Sequence, residues 1–426
     1  MYRFKQILFA ASRRKRLALL VALCPFAASA QQGPLSLEDA VDRALQETPQ
    51  VAASAAMLDA ASAAAPGAGR LPDPELVTGV DNLPVNTADR YSFTRDFMTM
   101  RKIGVMQSFP NGEKRRLQGE RAQQEIAVAQ GEVRKTRFDT SKAVAEAWVA
   151  RAVAEESLAR LRSLKPDAEL RAASGRASLA SGKASAAEAL ATQSLVASLN
   201  ERILAFEQDA DMRRAELARW IGADAERPLA GIPTDRDLNH SPDQLLAAVS
   251  EHPPLAPLLA KLEQARTDVE LARAQKRPDW GVELDYAQRG PDFSNMVSLE
   301  FHVGLPLFPK NRQDSVVAEK LALVRAQEAH RDAEVRMHTA EIKGEIAQWR
   351  RGRERLKNYE SEILPLARDR YRAAIASYGT GRGDLRGALN ALTEEINTQL
   401  EYVELEGSVA NAWAALYFLH DSGISK

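Results

Sequence analysis

The chain has 426 residues, of which 45% are apolar, 27% are charged and only 6% are aromatic. This balance is typical of long helices and coiled coils, and it argues against a disordered chain or a scaffold stabilised by disulfides. Beyond residue 30, no apolar run approaches the roughly 20 residues that a membrane-spanning helix needs. The composition therefore also argues against a helical membrane protein with several spans.

The first 30 residues have the pattern of a secretory signal peptide. Residues 13–16 are basic, residues 17–23 are apolar, and residues 28–30 form an Ala-Ser-Ala cleavage site before Gln31. Cys24 follows Leu23 rather than the small residue of a lipoprotein signal, so no lipid anchor is expected. Cleavage leaves no cysteine and lowers the formal net charge from −1 to −7. A mildly acidic exported chain without a long basic run is not expected to bind nucleic acid.

The mature sequence contains an internal duplication. Phe109-Pro110 and Phe308-Pro309 lie 199 residues apart. The same offset separates Pro166 from Pro365, Gly182 from Gly381, Leu190 from Leu389, and Leu217 from Leu416. A constant offset over more than 100 residues indicates a repeated unit without insertions. The sequence therefore predicts a first repeat at residues 31–222, a linker at 223–242, a second repeat at 243–420 and a tail at 421–426.

Each repeat is predicted to form a short helix, two strands, a very long helix, a turn and a medium-length helix, with helical hairpins at residues 110–222 and 309–420. Apolar residues recur every seven positions, which predicts left-handed supercoiling. The predicted seams are Val335, Ile342, Trp349, Leu356 and Ile363; Leu389, Ile396, Val403, Ala410 and Tyr417; and Leu190, Ala197, Leu204, Asp211 and Ala218. Pro166 and Pro365 are expected to end the long helix or to kink it near the turn.

Four strands are predicted, at about residues 75–82, 99–109, 280–288 and 296–305. In the second pair, apolar and polar residues alternate strictly, which is typical of a transmembrane hairpin with one lipid face and one watery face. The predicted lipid-facing residues are Trp280, Val282, Leu284, Tyr286, Val297, Leu299, Phe301 and Val303. The predicted lumen-facing residues are Glu283, Asp285, Glu300 and His302. The alternative is a half-buried hairpin of a soluble domain.

A bilayer tolerates only a closed sheet, and known membrane barrels begin at about eight strands. One chain supplies four predicted strands. The sequence therefore predicts that several copies share one barrel and, in the same way, one helical tube.

Taken together, these features resemble those of the TolC-like outer membrane efflux family. The resemblance rests on the duplication, on the step from strand to helix at Phe109-Pro110 and Phe308-Pro309, and on the turn at residues 378–385, Tyr-Gly-Thr-Gly-Arg-Gly-Asp-Leu. It implies a mainly helical fold with a small β part, assembled as a homotrimer whose α-barrel and β-barrel form a tunnel. It also implies the outer membrane of a Gram-negative cell, a periplasmic adaptor protein and an inner-membrane pump driven by protons.

The resemblance further implies that the two helical turns lie at the periplasmic tip of the tunnel. Tyr378, Gly381, Arg382 and Asp384 would take part in gating or adaptor contact there, together with Gly182 and Lys183. The first turn, residues 180–185, lacks the Tyr and the Arg of the second. Residues beside the turns that could contact the adaptor are Ser174, Arg176, Ser185, Ser377 and Arg386.

Catalytic and metal-binding motifs are absent from the sequence. The six histidines are scattered, and no His-Glu-x-x-His pair, nucleophile elbow or phosphate-binding glycine loop occurs. His338 and Glu341 could share a helix face, but a solvated face is the simpler interpretation. We therefore predict that the chain is not an enzyme and holds no cofactor and no resident metal.

The cargo is not defined by the sequence. Met98, Met100 and Met106 carry thioethers, which suit soft cations such as Cu(I), and residues 97–102 are similar to members found in heavy-metal efflux systems. Ordinary strand and loop positions explain them as well, so metal cations, small toxic organic compounds and secreted polypeptides all stay open. Three other interpretations stay open: a type I secretion duct, a periplasmic adaptor and a coiled-coil scaffold without a barrel.

Overall fold

The computed structural model describes residues 33–182, 184–234 and 237–421. The predicted signal peptide, Lys183 and residues 422–426 of the predicted tail lie outside the described residues. The described part of the chain is mainly helical with one small sheet, which confirms the predicted fold class. None of its helices is both long enough and apolar enough to cross a membrane.

Both repeats place their strands between shorter helices and a long helical hairpin. The first contains α1 (Leu37–Glu47), α2 (Pro49–Ala64), β1 (Glu75–Asp81), β2 (Met100–Phe109), α3 (Gly112–Ala180) and α4 (Ala186–Ile221). The second contains α5 (Pro242–Ala247), α6 (Ala256–Ala274), β3 (Trp280–Gln288), β4 (Met296–Val303), α7 (Gln313–Asn358), α8 (Leu364–Gly379) and α9 (Leu385–Asp421). The ends of the strands lie within two residues of their predicted positions.

The long helix α3 has 69 residues and is therefore about 104 Å long at 1.5 Å per residue. It begins directly after β2 because Pro110 has no N–H to continue the ladder and because the Asn111 side chain caps the helix by accepting a hydrogen bond from the Glu113 N–H at 3.0 Å. The N-terminal half of α3 packs against α6, and its C-terminal half packs against α4.

The two prolines related by the duplication have different local structures. Pro166 lies inside the continuous helix α3. Pro365 follows one π-helical turn, Tyr359–Ile363, which joins α7 to α8. A proline cannot donate to the carbonyl one turn earlier, and a wider turn relieves the clash of its ring. Neither proline ends the long helix.

The main core surrounds the middle of α3. Trp148 is fully buried there and donates its indole N–H to the Leu35 carbonyl at 3.3 Å. Leu35 also pairs with Leu229 in an isolated parallel bridge. The core further contains residues of α1, of the C-terminal end of α4 and of α9, including Val41, Leu217 and Trp413. The segment predicted as a linker is therefore packed against this core.

The buried side of α4 differs by one position from its predicted seam. Leu190 and Leu204 are each 63% exposed, whereas Ala189 and Ile203 are 0% and 6% exposed. The predicted seam of α4 is therefore wrong within a single chain. Apolar residues occur both at the predicted positions and one residue before them, and it is the preceding set that packs against α3. In α9, three residues of the predicted seam are buried: Ile396, Val403 and Ala410.

The four strands form one antiparallel sheet in the order β1-β2-β3-β4. The register places Met106 beside Glu283, and Glu283 beside Glu300. Within the described chain, β1 and β4 have no partner on their outer edges. An unpaired strand edge is a template for pairing with another chain.

Candidate functional site

One face of the sheet is apolar and uncovered. Val297, Leu299 and Phe301 of β4 are 58–70% exposed. The apolar residues predicted to face lipid lie on this face, together with Leu76, Val80, Ile103 and Val105 of the first pair. A soluble monomer rarely exposes a contiguous apolar patch of more than a few hundred Å², so this face is a surface that another apolar phase must cover.

The opposite face is polar and more enclosed. Glu283 and Asp285 are only 6% and 3% exposed, while Glu300 and His302 are exposed. All four residues predicted to face the lumen lie on this side of the sheet by strand register. The alternation in sequence therefore corresponds to two chemically distinct faces in three dimensions.

Ionic contacts link three strands on the polar face. The Lys102 ammonium of β2 lies 3.3 Å from Glu283 Oε1 and 3.8 Å from Asp285 Oδ2. On the other side, Nε2 of His302 lies 3.3 Å from Glu283 Oε2. Ligand atoms of Glu283, Glu300 and His302 all lie within 4.8 Å of one another. The sequence predicted that the three carboxylates and His302 share a face, but it predicted neither their convergence nor the position of Lys102.

The proposed soft-cation group of three methionines does not converge. Met100 and Met106 belong to the same strand and lie on the polar face, six residues apart, which corresponds to about 20 Å along a strand. Met98 lies in the preceding loop and is 46% exposed. The three thioethers of one chain therefore cannot coordinate a single ion.

His338 has a different environment from the predicted solvated face. It is 6% exposed, and its Nε2 lies 3.2 Å from Nδ1 of the buried His252. Its Nδ1 lies 3.4 Å from the Glu341 carboxylate. The expectation of a solvated face is wrong because α7 packs this side against the segment that precedes α6.

The sheet joins the helices through an aromatic and an ionic contact. Phe109 and Trp280 are cross-strand neighbours, and their rings stack with centroids 4.2 Å apart. Just below them, Asp279 accepts hydrogen bonds from the Asn111 backbone N–H and from the Lys114 ammonium, both at 2.8 Å. These contacts fix the sheet relative to the start of α3.

The two helical turns have the same backbone geometry. Gly182 has φ +74° and Gly381 has φ +73°, a conformation that glycine adopts without steric cost. After the first turn, Ser185 and Glu188 form a capping box for α4, and the hydrogen bonds from Ser185 lower the pKa of the Glu188 carboxyl. After the second turn, Asp384 Oδ1 accepts a hydrogen bond from the Gly387 N–H at the start of α9.

Two of the residues predicted to gate the tip have side chains without polar contacts in the described part of the chain. Tyr378 is half-buried and Arg382 is exposed, and neither side chain makes a hydrogen bond or ion pair within the described residues. Ser174, Arg176 and Arg386, predicted to contact an adaptor, are also exposed. Lys183 lies outside the described residues, and the other two predicted adaptor contacts shape the turns themselves: Ser185 and Ser377.

A contact that sequence reasoning missed joins the two hairpins above their turns. The Tyr371 hydroxyl of α8 donates a hydrogen bond to Asp167 of α3, and Arg171 lies 3.1 Å from the same carboxylate. Burial, and then the bond to Asp167, raise the pKa of Tyr371 to about 12. The phenol therefore keeps its proton at physiological pH and remains a donor.

The family model described as outer membrane efflux protein matches residues 40–223 and 245–420. The chain belongs to this family. The resemblance stated from the sequence is thereby confirmed, and the two matched stretches correspond to two copies of one unit. Members of the efflux family are passive channels, which confirms the prediction that the chain is not an enzyme.

Similar proteins include the cobalt-zinc-cadmium resistance protein CzcC of Cupriavidus metallidurans. It is 23% identical over 391 residues, which cover 89% of this chain and 88% of CzcC. Among solved structures, CusC matches with a TM-score of 0.77 at 15% identity, covering 89% of this chain and 91% of CusC. VceC of Vibrio cholerae matches with a TM-score of 0.75 at 18% identity, covering 89% and 94%. These structures have the fold of this efflux-family chain.

Proposed function

We propose that this protein is a passive outer-membrane channel through which an efflux system exports divalent metal cations. The observation that carries the proposal is the sheet, because its apolar face is exposed and its two edge strands lack partners within the described chain. Lipid tolerates no open sheet edge. The sheet therefore needs neighbouring copies of the chain to close it and a membrane to cover it.

Three chains supply twelve strands, a number within the range of closed membrane barrels, and the trimer is the assembly that we propose. In it, β4 of each chain pairs with β1 of the next. The residues facing lipid are Trp280, Val282, Leu284, Tyr286, Val297, Leu299, Phe301 and Val303. The residues facing the lumen are Glu283, Asp285, Glu300 and His302.

The helices of the trimer form the periplasmic part of the channel. The contact between Tyr371 and Asp167 supports an arrangement with both turns at one end, since Asp167 lies 15 residues before Gly182 and Tyr371 lies 10 residues before Gly381. The tip then carries Gly182, Lys183 and Gly381, and we assign gating to three residues of the second turn: Tyr378, Arg382 and Asp384.

Energy for export has to come from a partner protein. The sequence has no nucleotide-binding motif, so a passive tunnel depends on a pump, here a proton-driven protein of the inner membrane, reached through a periplasmic adaptor. Helical hairpins at the tip offer surfaces for coiled-coil packing against such an adaptor. Exposed Ser174, Arg176 and Arg386 are the contact residues that we propose.

The proposed cargo follows from the relative and from the polar face of the sheet. CzcC is named for resistance to cobalt, zinc and cadmium, and it aligns with most of this chain. Carboxylate and imidazole side chains on the polar face are suitable ligands for such borderline cations. Residues 1–30 would direct export to the outer membrane of a Gram-negative cell without lipidation.

Membrane fractionation and a resistance assay together test this proposal. The protein should sediment with the outer membrane as a heat-modifiable trimer and should form pores in a planar bilayer. In a deletion strain, tolerance to zinc, cobalt and cadmium should return only when the matching adaptor and pump are present. A soluble periplasmic protein, or tolerance restored by the channel alone in cells without any compatible pump, would contradict the proposal.

A further inference from the structure

The strand register places three potential ligand side chains at one position on the polar face of the sheet. Glu283 of β3 is the direct partner of Glu300 of β4, and His302 lies two residues further along β4, so all three point to the same side. Met106 of β2 is the partner of Glu283 on its other edge. The four side chains come from three adjacent strands and offer nitrogen, oxygen and sulfur donors.

The distances within this group suit a small ion. One ligand atom each of Glu283, Glu300 and His302 can be chosen so that all three lie within 4.8 Å of one another. Within the group, His302 Nε2 and Glu283 Oε2 lie 3.3 Å apart. A zinc ion with bonds of about 2.0–2.2 Å to nitrogen and oxygen brings its ligand atoms to a mutual distance of roughly this size. Binding of an ion would require the Glu300 oxygen to approach the other two ligand atoms to a similar distance.

The group also has an excess of negative charge, which favours binding of a divalent cation. Glu283, Asp285 and Glu300 contribute three formal negative charges, and Lys102 contributes one positive charge. Of the two Glu283 oxygens, Oε1 lies beside Lys102, and Oε2 is directed at His302. The Glu300 carboxylate makes no hydrogen bond or ion pair within the described residues. Two negative charges therefore remain without a local counter-charge.

A further buried carboxylate lies beside these three residues. Asp285, two positions along β3 from Glu283, is 3% exposed, and its Oδ1 atom has no hydrogen-bond partner within the described part of the chain. A buried carboxylate oxygen without a partner is costly. This oxygen lies over Gly104 of β2, on the side of β3 away from β4. Asp285 therefore adds negative charge beside the group but is not one of its ligands.

We infer that Glu283, Glu300 and His302 form a binding site for a divalent transition-metal ion. Imidazole nitrogen and carboxylate oxygen are both zinc ligands, and three protein ligands leave a fourth position open for water or substrate. Imidazole favours zinc, cobalt, nickel or copper over calcium and magnesium, which prefer all-oxygen sites. Met106 lies close enough in register to modulate the preference toward softer ions.

The position of the site indicates its use, and this step rests on the proposed channel function. His302 is the penultimate residue of β4, and Glu283 is the fourth residue of β3, so the site lies at the end of the sheet next to the long helices. Cargo leaving the helical tube would meet three such sites, one per chain. Binding that attracts the ion but releases it rapidly favours conduction.

The test uses the full-length, tag-free trimer in detergent, stripped of metal with a chelator and titrated with Co²⁺. We expect one ion per chain, seen as visible d–d absorption, with Zn²⁺ competing for it. His302→Gln and Glu300→Gln should each weaken binding by about 10-fold or more, since even partners outside the coordination sphere can contribute 10–100-fold. Asp81→Asn is the matched control, because Asp81 is a carboxylate on the same face but lies at the opposite end of β1, beside Met100.

Two results would overturn the inference. One is a double variant, Glu300→Gln with His302→Gln, that binds Co²⁺ as tightly as the unaltered trimer. The other is an Asp81→Asn trimer that loses as much affinity as the site variants. Conductance in potassium chloride is measured on the same samples. A trimer that conducts without binding Co²⁺ refutes this site alone, whereas a trimer that forms no pore refutes the proposed channel.

Discussion

The phenol of Tyr371 on α8 donates a hydrogen bond to the carboxylate of Asp167 on α3, although the two residues are 204 positions apart in sequence. Arg171, one turn further along α3, contacts the same carboxylate at 3.1 Å. The contact lies between the two hairpins, beside an apolar cluster in which Leu161 of α3 packs with Leu392 of α9. It is therefore a link that must break if α8 and α9 are to move away from α3 and α4.

We expect Tyr371→Phe to loosen the tip without unfolding the chain. The variant removes one hydroxyl and leaves the Asp167 carboxylate to Arg171. A hydrogen bond to a charged group contributes about 1.5–3 kcal/mol, so the population of open channels should rise by about tenfold or more. Single-channel recording of the reconstituted trimer measures this population. The control is Tyr359→Phe, which removes a hydroxyl that donates to Glu401 within the second hairpin. Unchanged conductance in Tyr371→Phe would show that the link does not restrain the helices.

The turn itself provides a second test of gating. Because Tyr378 and Arg382 make no side-chain hydrogen bond or ion pair within the described chain, any role in closure requires partners in a neighbouring chain. The combined variant Tyr378→Phe with Arg382→Ser should then raise the closed-state conductance. Arg386→Ser, four residues beyond on the exposed side of α9, controls for loss of positive charge. Equal closed-state conductance in the unaltered protein, the combined variant and Arg386→Ser would exclude gating by the turn.

Elements that depend on local sequence could be predicted well. The alternation from Val297 to Val303 defines two faces whatever the register, and a glycine at each of two equivalent turns allows a positive φ. Phe109-Pro110 marks the end of β2 and the start of α3 because proline cannot continue the ladder.

Relationships between distant elements could not be predicted in the same way. The pairing of Tyr371 with Asp167 depends on the relative rotation and rise of two long helices, and a shift of one residue would separate them. The buried side of α4 was misplaced by one residue for this reason, since Ala189 and Leu190 are both apolar. The approach of His302 to Glu283 depends on the register of β3 with β4, which the loop between the strands determines.

The two faces of the sheet predict opposite responses to substitution. Leu299 is 58% exposed on the apolar face, while its neighbour Glu300 lies on the polar face. A lipid-facing arginine near the bilayer centre costs about 2–4 kcal/mol, so Leu299→Arg should reduce the yield of heat-modifiable trimer. Glu300→Gln should leave the yield unchanged. Equal yields of both variants would contradict the assignment of the faces.

A buried carboxyl on α9 predicts how stability depends on pH. Glu395 is 5% exposed, and burial raises its pKa, although Arg368 at 3.9 Å opposes the shift. Because the folded state holds the proton more tightly, the stabilising contribution is complete at acidic pH and is lost as the pH rises through the raised pKa. Glu395→Gln should therefore raise the melting temperature at pH 7.5 and have less effect at pH 5. Glu394→Gln, on the exposed side of the same turn, is the control and should show no such difference between the two pH values.

The glycines at the two turns predict a stability cost that can be separated from helix propensity. Gly381 has φ +73°, and no atom lies within 4 Å of the position that a Cβ would take, so Gly381→Ala introduces backbone strain but no clash. The left-handed conformation costs a residue with a Cβ about 1–2 kcal/mol.

Gly379 provides the control for this prediction. It is the last residue of α8 and also has open space around it, so Gly379→Ala should be neutral or slightly stabilising. Thermal unfolding of the detergent-solubilised trimer, followed by circular dichroism, should rank Gly381→Ala below the unaltered protein and Gly379→Ala at or above it. The reverse order would mean that the turn changes its backbone conformation when the trimer assembles.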